Sequence, residues 1–294
     1  MADKTDKVEQ KREEKARELV RDLVMPSRPD LLLEVMRAQS GFAADPVAVT
    51  GLILSDLALS GAVLRVANSE LKGRKRALIS IEAAVALLGF ERVRAIVSEQ
   101  FLSASLVTRE GPVQRLRLRS VAAGRAAARL AQRLPEVAPN CQNGYLPAVA
   151  SDDAYAVGLL HDCGLIAMLR AFPDYALFCQ HSREQGIVDL LAAENERFGT
   201  NHGLTGYWLL RSWNLPEWFC RIVRGHHGLE DFNRPGVKTN ERRHLVLRAI
   251  LHLSASVCGE DAREVWLAVE EPIATFFGLD SEQLERLRSG GGNG

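Results

Sequence analysis

Asp152-Asp-Ala-Tyr-Ala-Val-Gly-Leu-Leu-His-Asp-Cys-Gly-Leu-Ile-Ala-Met-Leu-Arg170 is an apolar run that carries a histidine and an aspartate at its centre. It is too long for a strand. The pattern predicts helices over 152–170, with His161 inside one of them. Asp162 would then sit among apolar residues and need partners. His161 has two readings there: a hydrogen-bonded core histidine, or a metal ligand. Gly158 and Gly164 flank the pair. They read as points of close helix approach, because no strand followed by a GxGxxG or P-loop pattern surrounds them.

Outward from this stretch the helical signal continues. Downstream it predicts helices at 174–185, 188–198, 202–213, 217–224, 242–258, 262–269 and 273–277. Upstream it predicts them at 30–39, at 45–57 with Asp45 as N-cap and Pro46 at the first position, at 60–67, at 81–88 capped by Ser80, at 91–107 and at 113–134. Strand-forming runs bounded by turn residues are scarce, so the fold class is all-α. A break falls at 108–112, and a polar loop with Pro135, Pro139, Gly144 and Pro147 divides the later helices. Residues 6–24 alternate basic and acidic side chains and predict a solvated helix, separable from the folded body. The glycine-rich end predicts a flexible tail over 281–294.

The chain has 294 residues, 47% hydrophobic and 25% charged, with a formal net charge of +0. That composition buries a real core and generates no global field towards nucleic acid or anionic lipid. No apolar stretch follows the N-terminal charges and no window reaches the length of a membrane span, so neither a signal peptide nor a membrane location is expected. The five cysteines, Cys141, Cys163, Cys179, Cys220 and Cys258, lack CxxC spacing. They predict reduced thiols in a cytoplasmic protein.

Several stretches, taken in order, resemble the HDOD family, degenerate relatives of the HD phosphohydrolases found in bacterial signalling proteins. They are Met25-Pro-Ser-Arg-Pro-Asp30; Ser55-Asp-Leu-Ala-Leu-Ser-Gly-Ala-Val-Leu-Arg-Val-Ala-Asn-Ser69; Ser80-Ile-Glu-Ala-Ala-Val-Ala-Leu-Leu-Gly-Phe90; and Gly158-Leu-Leu-His-Asp-Cys-Gly164. Glu194, Phe198-Gly199, His202, Gly206, Trp213-Asn-Leu-Pro216 and His226-His227 follow. The resemblance implies two packed helical subdomains, at 25–110 and 111–280, the second a degenerate HD-domain fold. Residues 1–24 would be an extension.

An HD hydrolase gathers imidazoles and carboxylates around a divalent metal, which acidifies a bound water. By the resemblance, His161, Asp162, His202, His226 and His227 remain at ligand positions. The early histidine is replaced by Arg119 and the late aspartate by Ala255. A guanidinium cannot ligate a metal, and Arg119 is expected to pair with Asp162 as a buried charge. No catalytic residue, metal or other cofactor is therefore expected. The alternative is a metal-dependent phosphodiesterase using manganese or iron through His161, Asp162, His202, His226 and His227. His202 also reads as a first-turn helix residue, and His226-His227 as imidazoles at a helix end.

Between Lys72 and Arg133 basic residues outnumber acidic ones, but they fall on differing helix faces without interleaved aromatics. That reads as solvated surface rather than a nucleic-acid site. Tyr207, Trp208, Trp213, Trp218 and Phe219 read mostly as core. The function implied is a pseudoenzyme: a non-catalytic signal-transduction module that binds other signalling proteins, with a nucleotide as a possible ligand.

Overall fold

The computed structural model describes residues 2–21, 23, 46–71, 77–104, 111–138, 140–141, 144–184, 189–233, 238–257 and 262–289. The expected features at 25–45, including the Asp45 cap, lie outside the described residues. So do the basic run at 72–76, residues 108–110 of the expected break, Cys258 and the tail from 290. Among the described residues the fold is all-α. The helices are α1 (Ala2–Val20), α2 (Pro46–Leu54), α3 (Leu57–Glu70), α4 (Ile81–Ala104), α5 (Gly111–Val137), α6 (Ser151–Leu160) and α7 (Gly164–Ala171). They continue with α8 (Tyr175–Glu184), α9 (Leu190–Phe198), α10 (His202–Ser212), α11 (Glu217–Arg224), α12 (Thr239–Val257), α13 (Ala262–Phe277) and α14 (Ser281–Ser289). One antiparallel ladder of two residues per strand, Asn140–Cys141 against Gly144–Tyr145, lies in the polar loop after α5.

The chain divides into two compact, interleaved units, Met1–Leu118 with His161–Arg224, and Arg119–Leu160 with Gly225–Gly294. These are not the consecutive stretches that a cut at 110/111 would give. In the first unit α2, α3 and α4 pack together, and α10 packs against α7, α9 and α11. Asp56 starts α3 by accepting from the Leu59 amide at 2.8 Å. Asn68 then clamps Leu78 through two hydrogen bonds of 2.7 and 2.8 Å. Ser80 caps α4 as expected, accepting from the Ala83 amide, and α4 bends at Gly89, whose φ of 71° suits glycine. Trp213 lies over Gly61, where a Cβ would meet the indole at 2.5 Å. In the second unit α12 packs against α6, α13 and α14.

Four expectations need correction. His161 is not inside a helix, because His161–Cys163 form a turn between α6 and α7. The N-terminal helix is not a solvated extension: Ala16 and Val20 are buried, and α1 packs on α7 and α10. Three apolar positions at its C-terminal end suffice for docking, despite the charge alternation that suggested otherwise. Residues 281–289 of the expected tail form α14, with Leu284 and Leu287 fully buried and Asp280 accepting from the Gln283 amide at 2.7 Å. Pro272 does not divide α13, whose buried Val269, Ile273 and Phe276 continue one stripe across it.

Among the described residues, one stretch is long and apolar enough to cross a membrane by length and composition. It is Ser151–Ala171, and 72% of its window is buried inside the protein. Two shorter helices, α2 and α3, pass that test only together, across a bend of 114°.

Candidate functional site

The turn that parts α6 from α7 carries His161 and Asp162, both buried. In the first unit, His161 Nε2 lies 3.2 Å from Asp162 Oδ2. His202, the first residue of α10, follows the N-cap Asn201, whose side chain accepts from the Leu204 amide at 2.8 Å. The first-turn reading of His202 is correct, and the turn aims its ring: Nε2 stands 4.0 Å from Asp162 Oδ1.

Behind His202 is a residue to which sequence reasoning gave no role. Glu194 on α9 is fully buried. Its two carboxylate oxygens lie 2.8 Å from His202 Nδ1, and Oε2 accepts from the His202 amide at 2.9 Å. The Tyr175 hydroxyl of α8 donates to Oε1. Burial first, and then the Glu194 charge, push the Tyr175 phenol far above its ordinary range, so it stays a donor. A buried carboxylate is costly unless it is fully hydrogen-bonded. Glu194 meets that requirement with a hydroxyl, a backbone amide and an imidazole. It also fixes the tautomer, holding the proton on Nδ1 and turning Nε2 towards Asp162. Tyr175, Glu194, His202, Asp162 and His161 thus follow one another from α8 to the α6–α7 turn. Glu194 entered the sequence reading only as one of the positions of the family resemblance, with no role attached. Tyr175 gave no signal.

Glycines let these elements close up. A Cβ at Gly164 would lie 2.0 Å from the His202 carbonyl oxygen and 2.5 Å from the Gly206 nitrogen, so α7 and α10 approach with only hydrogens between them. Thr205 Oγ1 donates across the same contact to the Gly164 carbonyl at 3.2 Å. In the second unit a Cβ at Gly158 would meet the Ala123 carbonyl at 2.7 Å, bringing α6 close to α5. Both glycines serve close approach, as their sequence context predicted. Cys163, at the end of the turn, is fully buried; burial and then Asp162 push its thiol well above the ordinary range, which keeps it unreactive.

The second unit holds the remaining predicted residues. His226 is buried and His227 exposed, their ring centroids 4.2 Å apart in the turn after α11. Ala255 is half-buried on α12. Arg119 corrects an expectation, because it is exposed rather than buried. The inner face of α5 is taken by Leu116, Ser120, Ala123, Ala127, Leu130 and Leu134, at helical spacing, and residue 119 falls beside that stripe. Of the aromatic cluster, Trp213 and Phe219 are core, while Tyr207, Trp208 and Trp218 are half-buried. Of the other histidines, His181 is exposed and His252 stands edge-on to Phe232.

A divalent metal, which HD-type folds imply, would find donors in His161, Asp162 and His202. Of the two further positions that the resemblance implied, Arg119 is exposed and cannot ligate one, and Ala255 has no donor atom.

Helices joined by a His-Asp turn, with a histidine of the next long helix held by a buried acid, define an HD-type helical protein. The HDOD domain model matches residues 25–229, and the chain belongs to the HDOD family. Helix α1 and everything beyond Leu229, including Ala255, lie outside the match. An uncharacterized protein of Treponema pallidum (strain Nichols) is 23% identical over 266 residues, covering 89% of this chain. The chain spans about half, 48%, of the length of that curated relative. The fold is similar to that of the MmoQ response regulator from Methylococcus capsulatus str. Bath, with a TM-score of 0.58 and 23% identity, covering 90% of this chain and 97% of that one. It is also similar to a virulence factor from Campylobacter jejuni subsp. jejuni, with a TM-score of 0.57 and 17% identity, covering 96% and 97%.

Proposed function

We propose that this chain is a non-catalytic regulatory module of bacterial signal transduction, which works in the cytoplasm, without a metal cofactor, by binding another signalling protein through its helical surface. One observation carries the reading. His202 of α10 is locked to α9 and α8 by Glu194 and Tyr175, and Asp162 is partnered within its own turn by His161. Ala255, which offers no donor atom at an implied ligand position, favours the same reading, as does the fold similarity to a response regulator. A nucleotide is a second class of ligand for such a module.

The rival reading is a metal-dependent phosphohydrolase working through His161, Asp162, His202, His226 and His227. It has one observation in its favour. Metal-ligating histidines commonly donate their second ring nitrogen to a carboxylate, as His202 does to Glu194. Protein purified without chelator is therefore assayed for bound metal and, with manganese or iron added, for hydrolysis of a cyclic dinucleotide, beside affinity capture from the native cell. The module reading expects no turnover and a reproducible protein partner. Metal-stimulated hydrolysis, abolished by His161→Ala in a variant that still folds, overturns it.

A further inference from the structure

The family match begins at residue 25, so α1 lies outside it, yet it is seated on the matched residues through specific contacts. Arg224 of α11 reaches Glu9 at 2.7 Å and Glu13 at 3.1 Å, two acids one helical turn apart. The Arg17 guanidinium lies 3.8 Å from the centroid of the Trp208 ring, and Lys15 Nζ lies 5.4 Å from that of Phe172. Ala16 and Val20 are buried, and Leu19 packs on the cluster of Met168, Tyr175 and Phe198.

These contacts have the anatomy of a bound ligand rather than of a core helix: a small apolar centre, rimmed by charges. The rim is open to water, with side-chain exposures of 39% for Arg224, 45% for Glu9 and 28% for Glu13. Ion pairs so placed are weak and screened by salt. One group beneath α1 is left unsatisfied: Trp208 Nε1 is buried and has no acceptor among the described residues. A buried donor without an acceptor is a penalty that another occupant would relieve.

We propose that α1 is a built-in, displaceable occupant of a helix-docking face formed by α7, α10 and α11. The partner that replaces it is an acidic amphipathic helix. It presents two acids one turn apart to Arg224, a small residue and an aliphatic one to the centre, and a side-chain oxygen to the Trp208 indole. Its differential affinity over α1 comes from that last hydrogen bond, and only such a difference shifts the equilibrium. This inference rests on the reading of the chain as a protein-binding module and names the surface it uses.

The experiment uses the full chain carrying Glu9→Arg and Glu13→Arg, and a fluorescein-labelled peptide with the sequence of residues 2–21. In the variant, hydrogen exchange of α1 amides rises by about tenfold or more over wild type, while α10 keeps its protection. The peptide binds the variant and not the wild type. Adding Arg224→Glu to the variant restores α1 protection by charge exchange and removes peptide binding. Unchanged α1 exchange in a folded variant overturns the proposal, and so does raised exchange without peptide binding. If the variant does not fold, wild type at low and high salt decides: faster α1 exchange at high salt supports the cover, and equal exchange overturns it. Equal capture of a native partner by wild type and variant, with α1 still protected, removes the cover and leaves the module reading. Metal-stimulated hydrolysis alongside a mobile α1 does the reverse.

Discussion

At Gly164 a single hydrogen stands where any other residue would drive a carbon into the backbone of α10, 2.0 Å from the His202 carbonyl oxygen. Neither neighbour there is a flexible side-chain end, so the strain has no cheap release. Gly164→Ala is expected to cost at least about 3 kcal/mol, the upper end for overpacking. Gly51 is the control. It lies within α2 with nothing within 4 Å of an added Cβ. Gly51→Ala is expected to stabilise by about 0.4–1 kcal/mol, because alanine loses less backbone freedom on folding. Urea denaturation of the two variants measures both. Equal effects would mean that α7 and α10 are not in close contact. The same carbonyl belongs to the residue whose ring Glu194 holds, so the glycine also sets where the His202 imidazole stands.

Helix α11 shows how one residue organises an element's start. Glu217, in its first turn, meets Arg211 at 2.8 Å, accepts from Arg221 at 2.8 Å and accepts from the Tyr207 hydroxyl at 3.1 Å. Partial burial favours its neutral form, but the hydrogen bonds from Arg221 and Tyr207 and the charge of Arg211 prevail, and its pKa is lowered. A carboxylate depressed in the folded state stabilises above its unfolded pKa of about 4.3, and that contribution is lost as pH falls through the folded value. Glu217→Gln is therefore expected to flatten the acid limb of the stability curve below about pH 4.5, with little change at pH 7 beyond the ~0–1 kcal/mol of an exposed pair. Thermal melts between pH 3 and 7 read this out, and parallel curves for the two proteins would refute it. At this scale the sequence was most legible. The α11 bounds, the Ser80 cap and the first-turn position of His202 all followed from local patterns. What was not legible depends on distant partners. The break at His161–Cys163 interrupts no periodicity, and the surface on which α1 docks, Arg224 included, lies far away along the chain. α14 was hidden by a glycine-rich end only a few residues beyond it.

In the second unit α14 is pinned to α5. Arg133 of α5 donates to the carbonyls of Arg286 at 2.9 Å and Leu287 at 3.3 Å, satisfying two of the carbonyls left open by the last turn. Full burial of Leu284 and Leu287 contributes about 1.5–3 kcal/mol each. Removing residues 281–294 is expected to cost about 3–6 kcal/mol of stability, seen as a lower melting temperature and faster exchange in α12 and α13. An unchanged melt would return this segment to the tail that composition alone suggested. The interleaving of the two units means that neither is a single continuous segment, so folding of each waits on chain from both sides of the His-Asp turn. That turn also has a consequence during synthesis. Ser151–Ala171 emerges from the ribosome as a run that matches a membrane span in length and composition, before His202, whose Nε2 stands 4.0 Å from Asp162, has been made. An aspartate near the middle of such a run adds about 2.5–3.5 kcal/mol to the free energy of insertion. That aspartate therefore disfavours insertion of the nascent segment into lipid until His202 is available to it.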